Sequence, residues 1–279
     1  MSSVASSPSA VQGGGISRPP RSLQRRVLDA PWLYRLGVLA VVGALWEFGA
    51  LAADSLFIPT FTGTAAAVVG LAADPEVWGA FLISNEALLY GFVASVVIGI
   101  PLGFGAARLR GVEGFIDPYL SILLVVPMAA MIPILLMSMG IGLAPRVVLV
   151  FLFAFPVLVV NARAGVRQVE PTLIEMATSF GASERDIWRR ILLPGSVPPI
   201  MAGIRLALGR AVTAMVIVEL LMVSVGIGRL ILQFRGFFRA EELYGVVVLV
   251  VVEALILISL ARVVERRVAP WARKTTLRE

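Results

Sequence analysis

Six stretches of about 20 residues, almost free of charge, constrain this chain more than anything else in it. They cover residues 33–53, 81–107, 118–139, 147–165, 200–225 and 243–263. At 1.5 Å per residue, about 20 helical residues cross the roughly 30 Å hydrocarbon layer of a bilayer. Inside lipid every backbone N–H and C=O must be paired internally, which admits only helices and closed barrels. Runs this long and uniformly apolar predict helices, because barrel strands would alternate over about ten residues. Composition agrees. Of 279 residues, 58% are hydrophobic and 15% charged, against about 25% charged in an ordinary soluble domain. The expectation is an all-α integral membrane protein with six transmembrane helices over residues 31–268. A Ser-, Gly-, Pro- and Arg-rich tail, 1–30, precedes them, and residues 269–279 follow as a second tail. The first tail has no apolar h-region, so it reads as disordered and not as a signal peptide.

Charge placement orients the spans. If the N-terminus is cytoplasmic, the inner segments hold eighteen of the 24 Lys and Arg residues, including Arg25, Arg26, Arg108, Arg110, Arg167, Arg189, Arg190, Arg266 and Arg267. The outer segments hold Arg146, Arg229, Arg235 and Arg239, and Arg205 and Arg210 fall within the fifth span. The positive-inside rule then puts both termini and segment 166–196 in the cytoplasm. It also accounts for the net charge of +6 without a nucleic-acid partner. The chain has no Cys and no His, which removes thiol nucleophiles, thiolate metal sites and the commonest general base. No catalytic residue and no metal site are expected. A phosphate-binding G-x-x-x-x-G-K-[ST] loop is also missing, since the only lysine is Lys274 in the C-terminal tail.

The one long polar interruption runs VEPTLIEMATSFGASERDIWRRILLPGSVPPIMAGIRLALG over 169–209. Pro171 suits a first helical turn. Leu173, Ile174, Ala177 and Phe180 recur at helical spacing and predict one greasy face. Gly181 predicts the stop, Ser183 caps a second short helix carrying Ile187, Trp188, Ile191 and Leu192, and Pro194 is expected to end it. Two short helices hinged at a glycine, too polar to span, make a protruding knob.

Glu175-Met176-Ala177, Gly181-Ala182 and Ile191-Leu192-Leu193-Pro194 resemble the E-A-A–x3–G–x9–I-x-L-P signature of bacterial ATP-binding-cassette importer permeases, with Met176 in place of the usual alanine. Segments FPVLVVNARAGVRQVEP and PPIMAGIRLALGRAV…VIVEL…GIGRLI resemble the nitrate/sulfonate/taurine branch, and the likeness runs from about residue 81 to 271. It implies the type I importer permease fold in the bacterial inner membrane. It also implies two cytoplasmic ATPases carrying the ATP and Mg, a second permease copy and an extracytoplasmic solute-binding protein. Within the coupling loop 166–196, the residues it assigns to ATPase coupling are Glu175, Ala177, Gly181, Ala182, Ile187, Trp188, Leu193 and Pro194. Glu175 would brace the loop.

Several features inside the spans bear on transport. Ala87, Gly91, Ser95, Gly99, Gly103 and Ala107 place a small residue at every fourth position, which lets a neighbouring helix approach closely. Pro127 and Pro133 punctuate VPMAAMIPILLMSMGIG, and broken helices are tolerated where they line a cavity; with Met128 they are path candidates, the alternative being a kinked packing helix. Glu47, Glu86, Glu219 and Glu253 lie within or beside spans, where a charge costs about 2.5–3.5 kcal/mol on insertion scales and so faces a partner or water. Glu219 and Arg205 match the family's Val-x-Glu and Gly-x-Arg and join the path candidates. Arg210 and Glu253 are a possible pair across helices. Arg229, Arg235 and Arg239 are either a landing zone for an anionic solute or binding protein, or a solvated segment balanced by Glu241 and Glu242. Two further readings are a proton-coupled carrier using Glu219 and Glu253, for which no internal repeat is visible, and an intramembrane hydrolase, which lacks a nucleophile–base pair.

Overall fold

The apolar runs fold as helices, but two of the six are broken. The computed structural model describes residues 31–222 and 225–271; the expected tail 1–30 and residues 272–279 lie outside them. In chain order the helices are α1 (Pro31–Ala53), α2 (Phe61–Ala72), α3 (Pro75–Arg108), α4 (Arg110–Val125), α5 (Met131–Met139), α6 (Leu143–Arg167), α7 (Pro171–Ser179), α8 (Glu184–Ile187), α9 (Leu193–Leu221), α10 (Gly226–Gly236) and α11 (Ala240–Val268). Among the described residues there is no strand. Four helices, α1, α3, α6 and α11, are long and apolar enough to cross a membrane singly, and the count reaches six if each bent pair is one span.

The third run, 118–139, with its punctuating prolines, is α4 and α5 meeting at 88°. The break falls at Val126, whose backbone is extended (φ −59°, ψ 128°). The ring of the following Pro127 disfavours helical geometry there. One 3₁₀ turn, Met128–Ala130, restarts the chain. Pro133 then sits in the first turn of α5, where a missing N–H costs nothing.

The fifth run starts earlier than the expected residue 200. Pro194 does not end the hairpin's second helix. A wide π turn, Trp188–Leu192, carries the chain straight into α9, and the Leu193 N–H bonds to Trp188 O five residues back. An ordinary turn would press the proline ring against the carbonyl four residues earlier. The wider turn removes that clash. At its far end α9 stops at Leu221 and meets α10 at 53°.

Segment 54–80 holds the short helix α2. Thr60 caps it by accepting from Gly63 N at 3.1 Å. The Glu47 carboxylate accepts from Thr62 N at 3.0 Å and Thr62 Oγ1 at 2.7 Å. A carboxylate at a helix N-terminus meets unpaired N–H groups and the positive end of the dipole. With the Trp46 Nε1 bond to Pro59 O, this fixes one end of α1, whose remaining length is largely exposed.

The core forms where α3 lies against α6 and α6 against α9. Ala87, Gly91, Ser95, Gly99 and Gly103 are buried along α3. A Cβ on Gly91 would lie 2.6 Å from Val147 O, and one on Gly103 2.6 Å from Ala162 Cβ and Val159 O. The expected stripe is therefore the contact face. It ends at Ala106, which is buried while Ala107 turns half outward, because a four-residue spacing drifts around a 3.6-residue helix. Across α6, Ala207, Ala211, Ala214 and Met215 of α9 are buried without measurable exposure.

Candidate functional site

The hairpin over 171–193 is built as its sequence dictates. Ala182 N bonds to Ala177 O at 3.0 Å and Gly181 N to Thr178 O at 2.9 Å, the paired bonds that close a helix through a left-handed residue. Gly181 is that residue, with φ +79°. Ser183 caps α8 by accepting from Asp186 N at 3.2 Å, and its hydroxyl donates to Asp186 Oδ2 at 2.5 Å. That hydroxyl, helped by the charges of Arg190 and Arg189, holds the Asp186 carboxyl below its ordinary value of 3.8.

The apolar side chains of the hairpin do not form one outward face. Ile187 and Leu192 are buried with Val166, and Ile174, Ala177, Ala182 and Trp188 close over them against Phe104 and Ala107. Trp188 packs on Phe104 with ring centroids 5.9 Å apart. The Arg108 guanidinium lies 6.0 Å from the Trp188 ring and 3.2 Å from Glu184. Leu173, Met176 and Phe180 point the other way, 42%, 52% and 86% exposed, with Leu193 also exposed. A short helix laid across a bundle end buries only one side. Of the residues assigned to coupling, Ala177, Ala182, Ile187 and Trp188 thus anchor the hairpin to its own spans. Pro194 is half-buried at the start of α9.

The Glu175 side chain is exposed and makes no ion pair among the described residues, so the expected brace is not a salt bridge. The acidic partners that do brace this end were invisible in sequence. Arg163 contacts Asp117 and lies 3.7 Å from Glu113, and Arg167 lies 2.6 Å from Glu113. They pin α4 to α6 across about fifty residues of chain.

The charges within the spans are mostly paired. Glu219 has no exposed surface. Its Oε2 accepts from Ser84 Oγ at 2.7 Å and Gly228 N at 3.0 Å, and its Oε1 lies 3.5 Å from Arg146 Nη1. Ser84 Oγ also accepts from Ile227 N at 2.9 Å, and Arg146 donates to Ile83 O and Gly142 O. Glu219 thus ties the N-terminus of α10 to α3 and α6, enclosed by protein on all sides. Arg205 pairs with Glu265 of α11. Pro127 is exposed at the α4–α5 break, Met128 is half-buried beside it, and Pro133 is exposed.

Arg210 and Glu253 do not pair. Glu253 Oε1 accepts from Asn85 Nδ2, and its Oε2 is buried without a partner. Asn85 adjoins Ser84, which contacts Glu219. Glu253 therefore lies near the level of Glu219, nine residues or about 13 Å along α9 from Arg210. Toward the far end, Arg229 lies 2.9 Å from Glu76, and Arg239 lies 2.6 Å from Glu242 and 5.0 Å from the Phe234 ring. Two of the three arginines there are neutralised by adjacent carboxylates.

Comparison with known proteins places this architecture. Residues 99–274 match the family described as binding-protein-dependent transport system inner membrane component. The taurine transport system permease protein TauC of Escherichia coli is 31% identical over 200 residues, 71% of this chain and 72% of that one. The E. coli aliphatic sulfonates transport permease protein SsuC is 30% identical over 231 residues, 83% of this chain and 84% of that one. Among solved structures, an inward-facing conformation of the MetNI methionine ABC transporter superposes with a TM-score of 0.56 at 20% identity, covering 69% of this chain and 94% of that one.

Proposed function

Because this chain belongs to the family of binding-protein-dependent transport system inner membrane components, we propose that it is the permease subunit of an importer driven by separate ATPases and carrying small sulfonate-type anions. The solute class follows the names of TauC and SsuC. On this reading two copies enclose the path, two ATPases carrying ATP and Mg sit below, and an extracytoplasmic binding protein delivers solute from above. The charge distribution supports a cytoplasmic hairpin and cytoplasmic termini.

The observation that carries the reading is the two-sided hairpin. Ile187, Leu192 and Trp188 fasten it to the ends of α3 and α6, while Leu173, Met176 and Phe180 project. A groove on the ATPase receives the projecting side, and the fastened side passes the displacement into the spans. Because α8, the π turn and α9 run on without a stop, a push on the hairpin acts directly on the longest lever in the bundle. ATP shifts the inward–outward equilibrium only by its difference in affinity for the two states. A proton carrier is the weaker reading, since the Glu219 carboxylate is already engaged by Ser84 Oγ, Gly228 N and Arg146.

The test is co-purification of the ATPase with the permease. Phe180→Asp should insert normally and lose the ATPase, because it puts a charge on the projecting side only. Gly181→Asp should act in the same direction through the left-handed hinge. Undiminished ATPase recovery with both variants would remove the coupling assignment.

A further inference from the structure

The charged side chains of the apolar runs find partners in this structure, with three exceptions among the described residues: Glu86, exposed on α3, Arg210, exposed on α9, and Arg262, exposed toward the C-terminal end of α11. Arg210 is the most informative. It lies within one turn of the middle of α9, which runs from Leu193 to Leu221, so neither end of the helix is near. Asn161 of α6 packs at Gly203 and Phe155 lies two turns further along the same helix. Arg210, seven residues beyond Gly203 on the opposed α9, is therefore close to the level of Phe155.

The face that carries Arg210 is distinct from the packed faces of α9. Ala207, Ala211, Ala214 and Met215 are buried in the core, and Arg205 turns to Glu265 of α11. Ala202, Leu206, Arg210 and Thr213, at spacings of four, four and three, form the uncovered strip. Beyond it Ile132 and Leu135 of α5 share a buried cluster with Leu149 of α6 and Val218 of α9. α4 packs on α6 through Ile116, Leu120 and Val159, with Phe155 alongside. The break between α4 and α5 thus falls in the middle part of the bundle, and the strip on α9 is left exposed.

A guanidinium cannot give up its charge, and lipid offers it nothing to bind. At mid-span it needs water or an anion. On the reading of the chain as one half of a sulfonate importer, we infer that Arg210 is the cation an anionic solute meets at the middle of the membrane. The planar fork of N–H donors matches the oxygens of a sulfonate as it does those of a phosphate. One residue from each copy would face the path between them, giving the anion a charged stop between the binding protein and the cytoplasm.

The absence of cysteine makes a direct test available. In the assembled complex, Arg210→Cys should react with a charged, water-soluble methanethiosulfonate reagent, whereas Leu255→Cys, on an exposed apolar face of α11, should not. Equal, slow labelling of both would place Arg210 against lipid and overturn the inference. In proteoliposomes holding the full complex, Arg210→Gln should lower ethanesulfonate uptake about tenfold or more, the scale of one charge-assisted contact, with Arg210→Lys recovering part of it. Wild-type uptake in the Gln variant, or loss of the assembled complex, would equally overturn it, the latter assigning Arg210 to subunit contact. If the wild-type complex itself moves no ethanesulfonate yet position 210 is water-accessible, the solute assignment fails and the path-facing arginine stands.

Discussion

Single side chains at Glu219 and Ser183 show how differently burial prices a change. Glu219→Ala would leave the Arg146 guanidinium, the Gly228 N–H and the Ser84 hydroxyl without their acceptor in a site with no exposure. Removing one partner of a buried ion pair costs about 3–5 kcal/mol. We expect Glu219→Ala to lower the Tm of the detergent-purified protein by several degrees, and Glu219→Gln, which keeps an acceptor for Ser84 and Gly228, to lower it less. Equal losses would mean that the Arg146 charge dominates the site. Ser183 lies at the opposite extreme, on the exposed hairpin. Ser183→Ala removes one cap, a change of about 1 kcal/mol, and should raise amide exchange in the 183–192 segment without altering the Tm of the spans. Asp186 has a depressed carboxyl, so its contribution to the cap is complete above the ordinary 3.8 and lost as pH falls below it through the depressed value. Exchange in that segment should therefore rise only in strong acid.

At the scale of elements, the α3–α6 contact depends on the missing side chains of Gly91 and Gly103. Gly91→Ala would set a Cβ 2.6 Å from a backbone oxygen of α6, an atom that cannot swing aside. Overpacking of this kind costs about 1–3 kcal/mol. Gly79→Ala on the same helix meets nothing within 4 Å and should hold or slightly raise the Tm, alanine being the better helix former. A Gly91→Ala variant as stable as Gly79→Ala would show that helix propensity and not close approach governs the stripe. The stripe, the hinge at Gly181 and the Ser183 cap were all legible in sequence, because each depends on residues within a few positions of one another. The continuity of α8 into α9 was not. Pro194 is a strong stop signal by itself, and only the π turn before it makes room for the ring.

The molecule as a whole has two ends, and the expected topology can be read with single cysteines in a chain that has none of its own. Phe180→Cys should react with an impermeant thiol reagent only from the cytoplasmic side, and Phe238→Cys, at the opposite end of the bundle and exposed, only from outside. The reverse pattern would invert the orientation and with it the coupling scheme. By itself the sequence determined the number of apolar runs, the sidedness expected of their charges, the hairpin and its hinge, since lipid and local backbone geometry act on neighbouring residues. Only the tertiary structure decided which charges meet. Ser84 and Glu219 are 135 positions apart, Arg146 and Glu219 are 73, and Arg205 and Glu265 are 60. A buried ion chooses its partner by proximity in the folded bundle, and no spacing along the chain encodes that distance.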